Sequence, residues 1–474
     1  MGKITFGTSG WRAILADDFT FANVRIAVGA IAKTLQKDGS ANKGLVVAAD
    51  YRFFSEEFME LTSRVLAGYG IPVYLTPVGT PTPTVSYELL RRGCAGSINF
   101  TASHNPYQYQ GLKFNGMDGG PAPVHVTQAL EKEAEALGAS GEAIPEMALE
   151  TAREKGLVRD IDPKADYFKR IREIVRFDLL RQARMKIVVD PMNGCGIGYL
   201  DTLLQESGVQ VKVIRNTRDP FFGHHHPEPG VKELVEAAGL VRTWPAHLGL
   251  ANDGDADRFG ILDSDGTYLT SNEVLAVLLD HLLTTRDWKG ALVRSVATTH
   301  LLDAIAASKG VPVRETPVGF KYIAEVMAKE PIILGGEESG GLTVHGHIPE
   351  KDGILACLLM AEAGATSGRQ LKSVLQRIYK EHGNFFGDRL NLKLKPGLRE
   401  TLVDRFKNNP PSEIAGRKVE KVLTIDGFKF FLSGGDWIMV RFSGTEPLVR
   451  CYIESRTQEG LEALREAGRG LTAP

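Results

Sequence analysis

The sequence predicts an α/β protein of three related domains with mixed, mainly parallel sheets, followed by a C-terminal α+β domain. Two observations predict the three related domains. A unit of short apolar run, helix, glycine and second β-branched run occurs three times, and Thr-Pro-Val-Gly follows the first unit at 76–79 and the third at 316–319. A third observation predicts the last domain: beyond Asn384 the pattern changes to alternating runs with Asp-Gly and Gly-Gly turns. With 474 residues, 43% hydrophobic and 24% charged, the chain has material for about three or four domains.

In the first unit, Leu45-Val46-Val47-Ala48-Ala49-Asp50 precedes a helical stretch, Gly70 and Ile71-Pro72-Val73-Tyr74-Leu75. The second joins Lys186-Ile187-Val188-Val189-Asp190 to Val209-Gln210-Val211-Lys212-Val213 through Gly208, and the third joins Ala291-Leu292-Val293 to Val311-Pro312-Val313 through Gly310. Continuous apolar runs linked by one helix suit parallel strands covered on both faces, with the glycine capping the helix. Boundaries are expected near 150, inside the charged, helix-prone stretch 131–155, and near 254 and 370. They give segments 1–150, 151–254, 255–370 and 371–474. The last offers strands at 390–394, 419–425, 428–432 and 437–442, then a helical tail at 458–469.

Composition excludes several classes. A formal net charge of -2 supplies no basic field for nucleic acid or a membrane surface, so any bound anion must meet local arginines and lysines. Cys94, Cys195, Cys357 and Cys451 form no CxxC pair, which argues against a disulfide framework or structural zinc and suits a reducing cytoplasm. The longest apolar stretches, such as 354–361, fall far short of the roughly twenty residues that span a bilayer, and the N-terminus shows no signal peptide. A soluble, unanchored protein is expected, monomeric or homodimeric.

Thr101-Ala102-Ser103-His104-Asn105-Pro106 places a serine in a polar turn, where Pro106 forces extended or turn geometry on Asn105. A serine in such a turn is expected to be exposed enough for an incoming phosphate to reach its oxygen; phosphorylated, it carries roughly two negative charges. Lys113, ten residues on, could shuttle the proton. Asp253, Asp255 and Asp257 alternate, but the sixth position holds Arg258 and the twelfth Ser264, so this is no calcium loop of the EF-hand type. Three carboxylates beside an arginine suit a cation that shares a phosphate ligand, with Mg²⁺ the expected ion. Gly335-Gly336-Glu337-Glu338-Ser339-Gly340-Gly341 offers carboxylates and a hydroxyl to sugar hydroxyls. Arg441-Phe442-Ser443-Gly444-Thr445-Glu446-Pro447 with Arg450 forms a nest able to grip a phosphate dianion. Gly7-Thr8-Ser9-Gly10-Trp11-Arg12 could do similar work. His224-His225-His226 reads as an exposed loop, since consecutive histidines cannot all turn to one ion. Neither a Walker A loop nor a GxGxxG after a strand occurs, which disfavours a nucleotide-driven kinase.

With these four motifs in this order, the chain resembles the α-D-phosphohexomutase superfamily, the phosphoglucomutases and phosphomannomutases, along essentially its whole length. The resemblance implies a central cleft, closed over by the fourth domain, with one loop contributed by each domain. It implies that Ser103 is carried as phosphoserine and that Asp253, Asp255 and Asp257 bind Mg²⁺ beside it. Arg12, His104, Lys113 and Arg258 match positions around the reacting phosphate. Glu337 and Ser339 match those that read the ring hydroxyls, and Gly319, Phe320 and Lys321 a segment lining the sugar site. Arg441, Ser443, Gly444, Thr445 and Arg450 match the grip on the non-reacting phosphate.

One departure matters. Where loops of the bifunctional and glucosamine-type enzymes look like E-x-S-G-H, this chain has Gly341. Its Glu337-Glu338-Ser339 and the downstream His347-Ile348-Pro349-Glu350-Lys351-Asp352-Gly353 look more like glucose-preferring phosphoglucomutases, with Lys351 and also His347 expected in the pocket. The expected reaction interconverts hexose 1-phosphate and hexose 6-phosphate through phosphoserine and a 1,6-bisphosphate, traces of which prime the enzyme. Phosphomannomutase, phosphoglucosamine mutase, a non-catalytic sugar-phosphate binder and a metal-dependent phosphatase are the alternatives.

Overall fold

The computed structural model describes residues 4–7, 9–368, 370–394, 397–442 and 448–472 and orders their strands into four sheets. In the first, Leu45–Ala49 lies parallel to Val73–Leu75 on one side and to Gly96–Phe100 on the other. In the second, Lys186–Asp190 lies parallel to Gln210–Val213 and Leu248–Asn252. In the third, Ala291–Ser295 lies parallel to Val313–Thr316 and Ile332–Glu337. Every residue of Leu45–Ala49 and of Ala291–Ser295 is buried, as strands covered on both faces must be. Gly70, Gly208 and Gly310 sit just past their helix caps at φ +74°, +82° and +66°, a left-handed backbone that only glycine adopts without strain.

Each of these sheets ends its parallel set in a hairpin. Gly96–Phe100 turns back into Tyr109–Gly116, Leu248–Asn252 into Phe259–Leu262, and Ile332–Glu337 into Gly341–Val344. The serine motif, the aspartate motif and the Glu-Glu-Ser-Gly motif therefore occupy the same hairpin of three successive repeats.

The first domain has its own core, in which Trp11 stacks on Phe19 at 4.5 Å and Phe58 on Phe100 at 5.6 Å. The second and third sheets share one core. Helix Gly353–Thr366 runs through it, buried from Gly353 to Gly364, as an all-round apolar helix requires.

The sheets move the expected boundaries. Val158–Asp160 pairs with Val73–Leu75, so the first sheet continues past 150. Asn252 pairs with Phe259, so 254 falls inside a hydrogen-bonded hairpin that belongs wholly to the second sheet. Helix Leu371–His382 sinks Leu371, Leu375 and Ile378 into the shared core, so the third unit runs beyond 370.

The fourth sheet is antiparallel, in the order 386–393, 448–455, 437–442, 428–432, 417–423, 413–414. Its strand Leu448–Ser455 and helix Leu398–Asn408 were not foreseen. Helices Leu398–Asn408 and Gln458–Leu471 cover one face through Leu402, Phe406, Leu461 and Leu464. The other face presents Trp437, Met439 and Tyr452 to Val296 and Ala297 of the third domain. Among the described residues no helix is long and apolar enough to cross a membrane.

Candidate active site

Ser103 is buried, 1% exposed, contrary to the expectation for a surface turn. Its burial comes from packing between domains: Ser103 Oγ donates to Asp253 Oδ2 of the second domain at 2.7 Å, and Gly254 leaves no room for a Cβ, which would lie 2.6 Å from the Ser103 carbonyl oxygen. Ser103 adopts φ +52°, a left-handed conformation costly for any residue but glycine unless its surroundings impose it. The surroundings are Arg52. This guanidinium, itself 1% exposed, donates to the carbonyls of Ser103 (2.7 Å), Asn105 (2.6 Å), Pro106 (2.8 Å) and Tyr109 (3.0 Å), and its Nε donates to Asp50 Oδ2 at 3.0 Å. Phe222, from the second domain, covers it at 4.8 Å. His104 Nδ1 lies 3.4 Å from Ser103 Oγ, and Arg12 donates to Asn105 Oδ1 at 2.7 Å. Loss of water, then Arg258 and Arg12, hold the His104 imidazole well below its ordinary pKa, so it is neutral.

The three aspartates are fully buried, each offering an oxygen within 4.8 Å of the others. Ala256, at φ +58°, turns the loop so that they converge. Asp253 Oδ1 accepts from the Arg258 amide at 2.9 Å, and Asp255 Oδ2 accepts from Thr82 Oγ at 2.6 Å. Lys113 Nζ bridges Asp255 Oδ2 (2.5 Å) and Asp257 Oδ2 (2.8 Å), and Lys351 Nζ also reaches Asp257 Oδ2 at 2.8 Å. Burial by itself raises each carboxyl, but only Asp253 ends above its ordinary value; the ion pairs with Lys113 leave Asp255 and Asp257 below theirs. For Asp253 burial and the two neighbouring aspartates prevail, whereas Lys113, Lys351 and Arg258 hold Asp257 well below the carboxylate range. Asp255 Oδ1 and Asp257 Oδ1 are buried and accept no hydrogen bond. Three buried carboxylates within 4.8 Å of one another, two of them with an oxygen that accepts no hydrogen bond, are the donor set a hard divalent cation takes, so the residues fit Mg²⁺.

Gly341 explains the route of Lys351. A Cβ at 341 would lie 2.3 Å from Lys351 Cδ, so the lysine chain occupies the space a side chain there would need. Lys351 immediately precedes Asp352, the N-cap of helix Gly353–Thr366, which accepts from the Leu355 amide at 2.8 Å. His347 does not enter the pocket. Its side chain is fully buried, with Nε2 2.8 Å from Asp352 Oδ2, and Tyr167 donates to the same carboxylate. The histidine holds the cap. Asn115 of the first domain donates to Glu350 Oε2 at 3.0 Å, joining the first and third domains beside Lys351.

Glu337 is buried, and its Oε1 accepts from the Gly319 amide at 2.6 Å. Burial and then Glu338 raise its carboxyl to about 7. Glu338 accepts from Ser295 Oγ at 2.9 Å. Phe320 is buried, Lys321 and Ser339 are half-buried, and Lys351 stands over the Phe320 ring at 5.8 Å. From the fourth domain, Arg441 Nε donates to Asp426 Oδ2 at 2.8 Å, and Arg450 is paired across the strands with Arg441. Ser443, Gly444 and Thr445 lie outside the described residues.

Family models for the phosphoglucomutase/phosphomannomutase α/β/α domains I, II and III match residues 3–140, 165–266 and 270–382, and the model for the C-terminal domain matches 400–470. The chain belongs to this family. It is an intramolecular phosphotransferase of the phosphohexomutase type. It is 30% identical to a phosphoglucomutase/phosphomannomutase of Thermococcus kodakarensis over 99% of this chain and 100% of that one. To the phosphoglucosamine/phosphogalactosamine mutase of Sulfurisphaera tokodaii it is 28% identical, over 97% and 96% of the two chains. A crystal structure assigned to phosphomannomutase from Thermus thermophilus superposes with a TM-score of 0.84 at 32% identity, covering 99% of each chain.

Within this phosphohexomutase, Ser103, His104, Lys113, Arg12, Arg258, Lys351 and the aspartate trio form one polar cluster across three domains. Sequence reasoning missed Arg52 and Thr82, and gave no role of their own to Glu350, named within the 347–353 motif, or Asp426, named within a turn. Asp50-Tyr51-Arg52, at the end of a predicted strand, was the available signal for the first.

Proposed function

We propose that this phosphohexomutase interconverts glucose 1-phosphate and glucose 6-phosphate through phosphoserine at Ser103 and a glucose 1,6-bisphosphate. The supporting observation is the 2.7 Å contact between Ser103 Oγ and Asp253, which sets the phosphoacceptor against the orphaned carboxylates of another domain. Asp253, Asp255, Asp257 and a phosphoserine oxygen would hold Mg²⁺, which when bound neutralises phosphate charge and polarises phosphorus.

The chain's own residues do the rest. Lys113 relays the proton between the sugar hydroxyl and Ser103 Oγ, so that the oxygen attacking phosphorus loses it and the oxygen released from phosphorus gains it, and neutral His104 stands beside Ser103 Oγ as hydrogen-bond partner. Arg12 and Arg258 offset charge on the transferring group. Lys351 stands where the missing imidazole would project from 341, and takes over its role near the reacting hydroxyl. Glu337 and Ser339, with the segment Gly319, Phe320 and Lys321, read the ring. Arg441, Ser443, Gly444, Thr445 and Arg450 grip the resting phosphate, and the sugar turns end for end between half-reactions. Four separate buried cysteines suit a cytoplasmic setting.

The Sulfurisphaera tokodaii relative's name favours a second reading, an amino-sugar phosphate substrate. Side-by-side rates on glucose, mannose and glucosamine phosphates, with Mg²⁺ and the matching bisphosphate, decide between them. Glucose should show the highest kcat/KM, and Ser103→Ala should lose turnover by several orders of magnitude, as when a covalent nucleophile is removed. Near-normal turnover by Ser103→Ala, or phosphate release faster than isomerisation, contradicts the proposal.

A further inference from the structure

Two carboxylates from opposite sides of the junction between the third and fourth domains hold consecutive backbone amides. Glu337 Oε1 accepts from the Gly319 amide at 2.6 Å, and Asp426 Oδ2 accepts from the Val318 amide at 3.0 Å. Both amides lie just ahead of helix Phe320–Met327, where unpaired N–H groups favour negative charge. The same Asp426 oxygen accepts from Arg441 Nε at 2.8 Å. Asp426 stands at the corner between strands Arg417–Leu423 and Phe428–Leu432. That corner is pinned, because Gly427, at φ +84°, packs so closely that a Cβ would lie 2.4 Å from the Val440 carbonyl oxygen. Contacts therefore run without a break from Glu337 through two adjacent amides and Asp426 to Arg441.

We propose that Asp426 is a positioning residue that couples the phosphate grip of the fourth domain to the sugar-reading face of the third. The inference rests on the reading of Glu337 and Arg441 as substrate contacts. Asp426 fixes the Nε edge of the guanidinium and with it the direction in which the planar fork faces an anion. At 23% side-chain exposure for Asp426 and 18% for Arg441, water screens the pair only in part. A phosphate on Arg441 steadies Asp426, which steadies the Val318 and Gly319 amides and, through them, Glu337. The apolar seam of Trp437, Met439 and Tyr452 against Val296 and Ala297, with Val318 packed against it, is made of hydrophobic side chains, so removing the Asp426 carboxylate tests the link without deleting an apolar contact of the docking.

Hydrogen–deuterium exchange of a peptide covering 316–323, in the full chain with and without inorganic phosphate, tests it. In the wild type, saturating phosphate should slow exchange about tenfold, a coupling of ordinary size for linked sites. In Asp426→Ala, at phosphate levels that again saturate, the effect should vanish. Asp426→Asn keeps an acceptor for the Val318 amide but loses the charge facing Arg441, and should retain less than half of it. The same asparagine variant should raise KM for glucose 1-phosphate about tenfold while kcat stays within about threefold, a split that general loss of stability does not produce. Absence of phosphate protection in the wild type, or full protection in either variant, overturns the proposal. Should Asp426→Ala fail to fold, the exchange and kinetics of Asp426→Asn decide the matter. Wild-type protection without hexose phosphate turnover would leave the link standing and remove the mutase reading; turnover without protection does the reverse.

Discussion

Arg52 gives the serine turn its shape. Four loop carbonyls point at one guanidinium, and a buried carbonyl left without a donor costs about 1–3 kcal/mol. Arg52→Lys keeps the charge but has too few donors in the wrong geometry. It should lower kcat about tenfold to a hundredfold, the cost of misplacing a nucleophile by about 1 Å, with KM within about threefold. Steady-state kinetics check this, and an unchanged kcat in a folded variant removes the role. Glu337 carries the second prediction at this scale. With its carboxyl raised to about 7, it loses its charge as pH falls through neutrality, so KM should rise below that pH. Glu337→Gln should flatten this limb, leaving only the titration of the substrate phosphate. Ser103 and the aspartates were legible because each motif is contiguous. Arg52 and Thr82 were not, since they act on residues 51 and 173 positions away and an isolated arginine or threonine carries no pattern. The exposure of Ser103 was misjudged for a related reason: what covers it comes from another domain.

Among elements, the hairpin that ends each parallel set places the chemistry. Three loops with the same connection and different side chains supply Ser103, the aspartates and Glu337, and Ser103, Ala256 and Gly340 each turn their loop at positive φ. The βαβ units were legible from apolar runs and glycines, whereas the equivalence of the hairpins was hidden by loops of unequal length. The junction of Gly341 with Lys351 is the sharpest test at this scale. Gly341→Ala puts a Cβ 2.3 Å from Lys351 Cδ, so the lysine must leave Asp257. Turnover should fall about as far as in Lys351→Ala. Gly341→His combined with Lys351→Ala should recover part of it, because the imidazole then fills the vacated space. No recovery, alongside normal folding, contradicts the exchange of roles. His347 shows the limit of motif reading: its neighbours in sequence suggested the pocket, while full burial assigned it to the cap of the following helix.

Across the whole molecule, a shared core fuses the second and third domains, and the fourth docks through one apolar face and one buried network. Burying side chains such as Trp437, Met439 and Tyr452 stabilises that docking by about 1.5–3 kcal/mol each. In the network, Lys429 Nζ meets the Val296 carbonyl at 2.7 Å and His300 Nε2 at 2.8 Å. Burial, then Arg294, lowers its ammonium to about 7 against the pull of Glu315, Glu454 and Asp303. A depressed lysine contributes stability that is complete above its unfolded pKa and declines as pH falls towards the folded value. The Tm of the wild type relative to Lys429→Met should therefore climb between pH 7 and 9, and a constant difference contradicts the assignment. Domain number and order were legible; the boundaries were not, because hairpin pairing and helix docking cross the places where composition changes. The central claim is that loops from separate domains make Ser103 a phosphoryl carrier. Intact-mass analysis with peptide mapping, after incubation with glucose 1,6-bisphosphate and Mg²⁺, tests it most directly. The account predicts one phosphoryl group, on Ser103, discharged by added glucose 1-phosphate or 6-phosphate; an unmodified serine, or a phosphoryl group that hexose phosphates cannot remove, contradicts it.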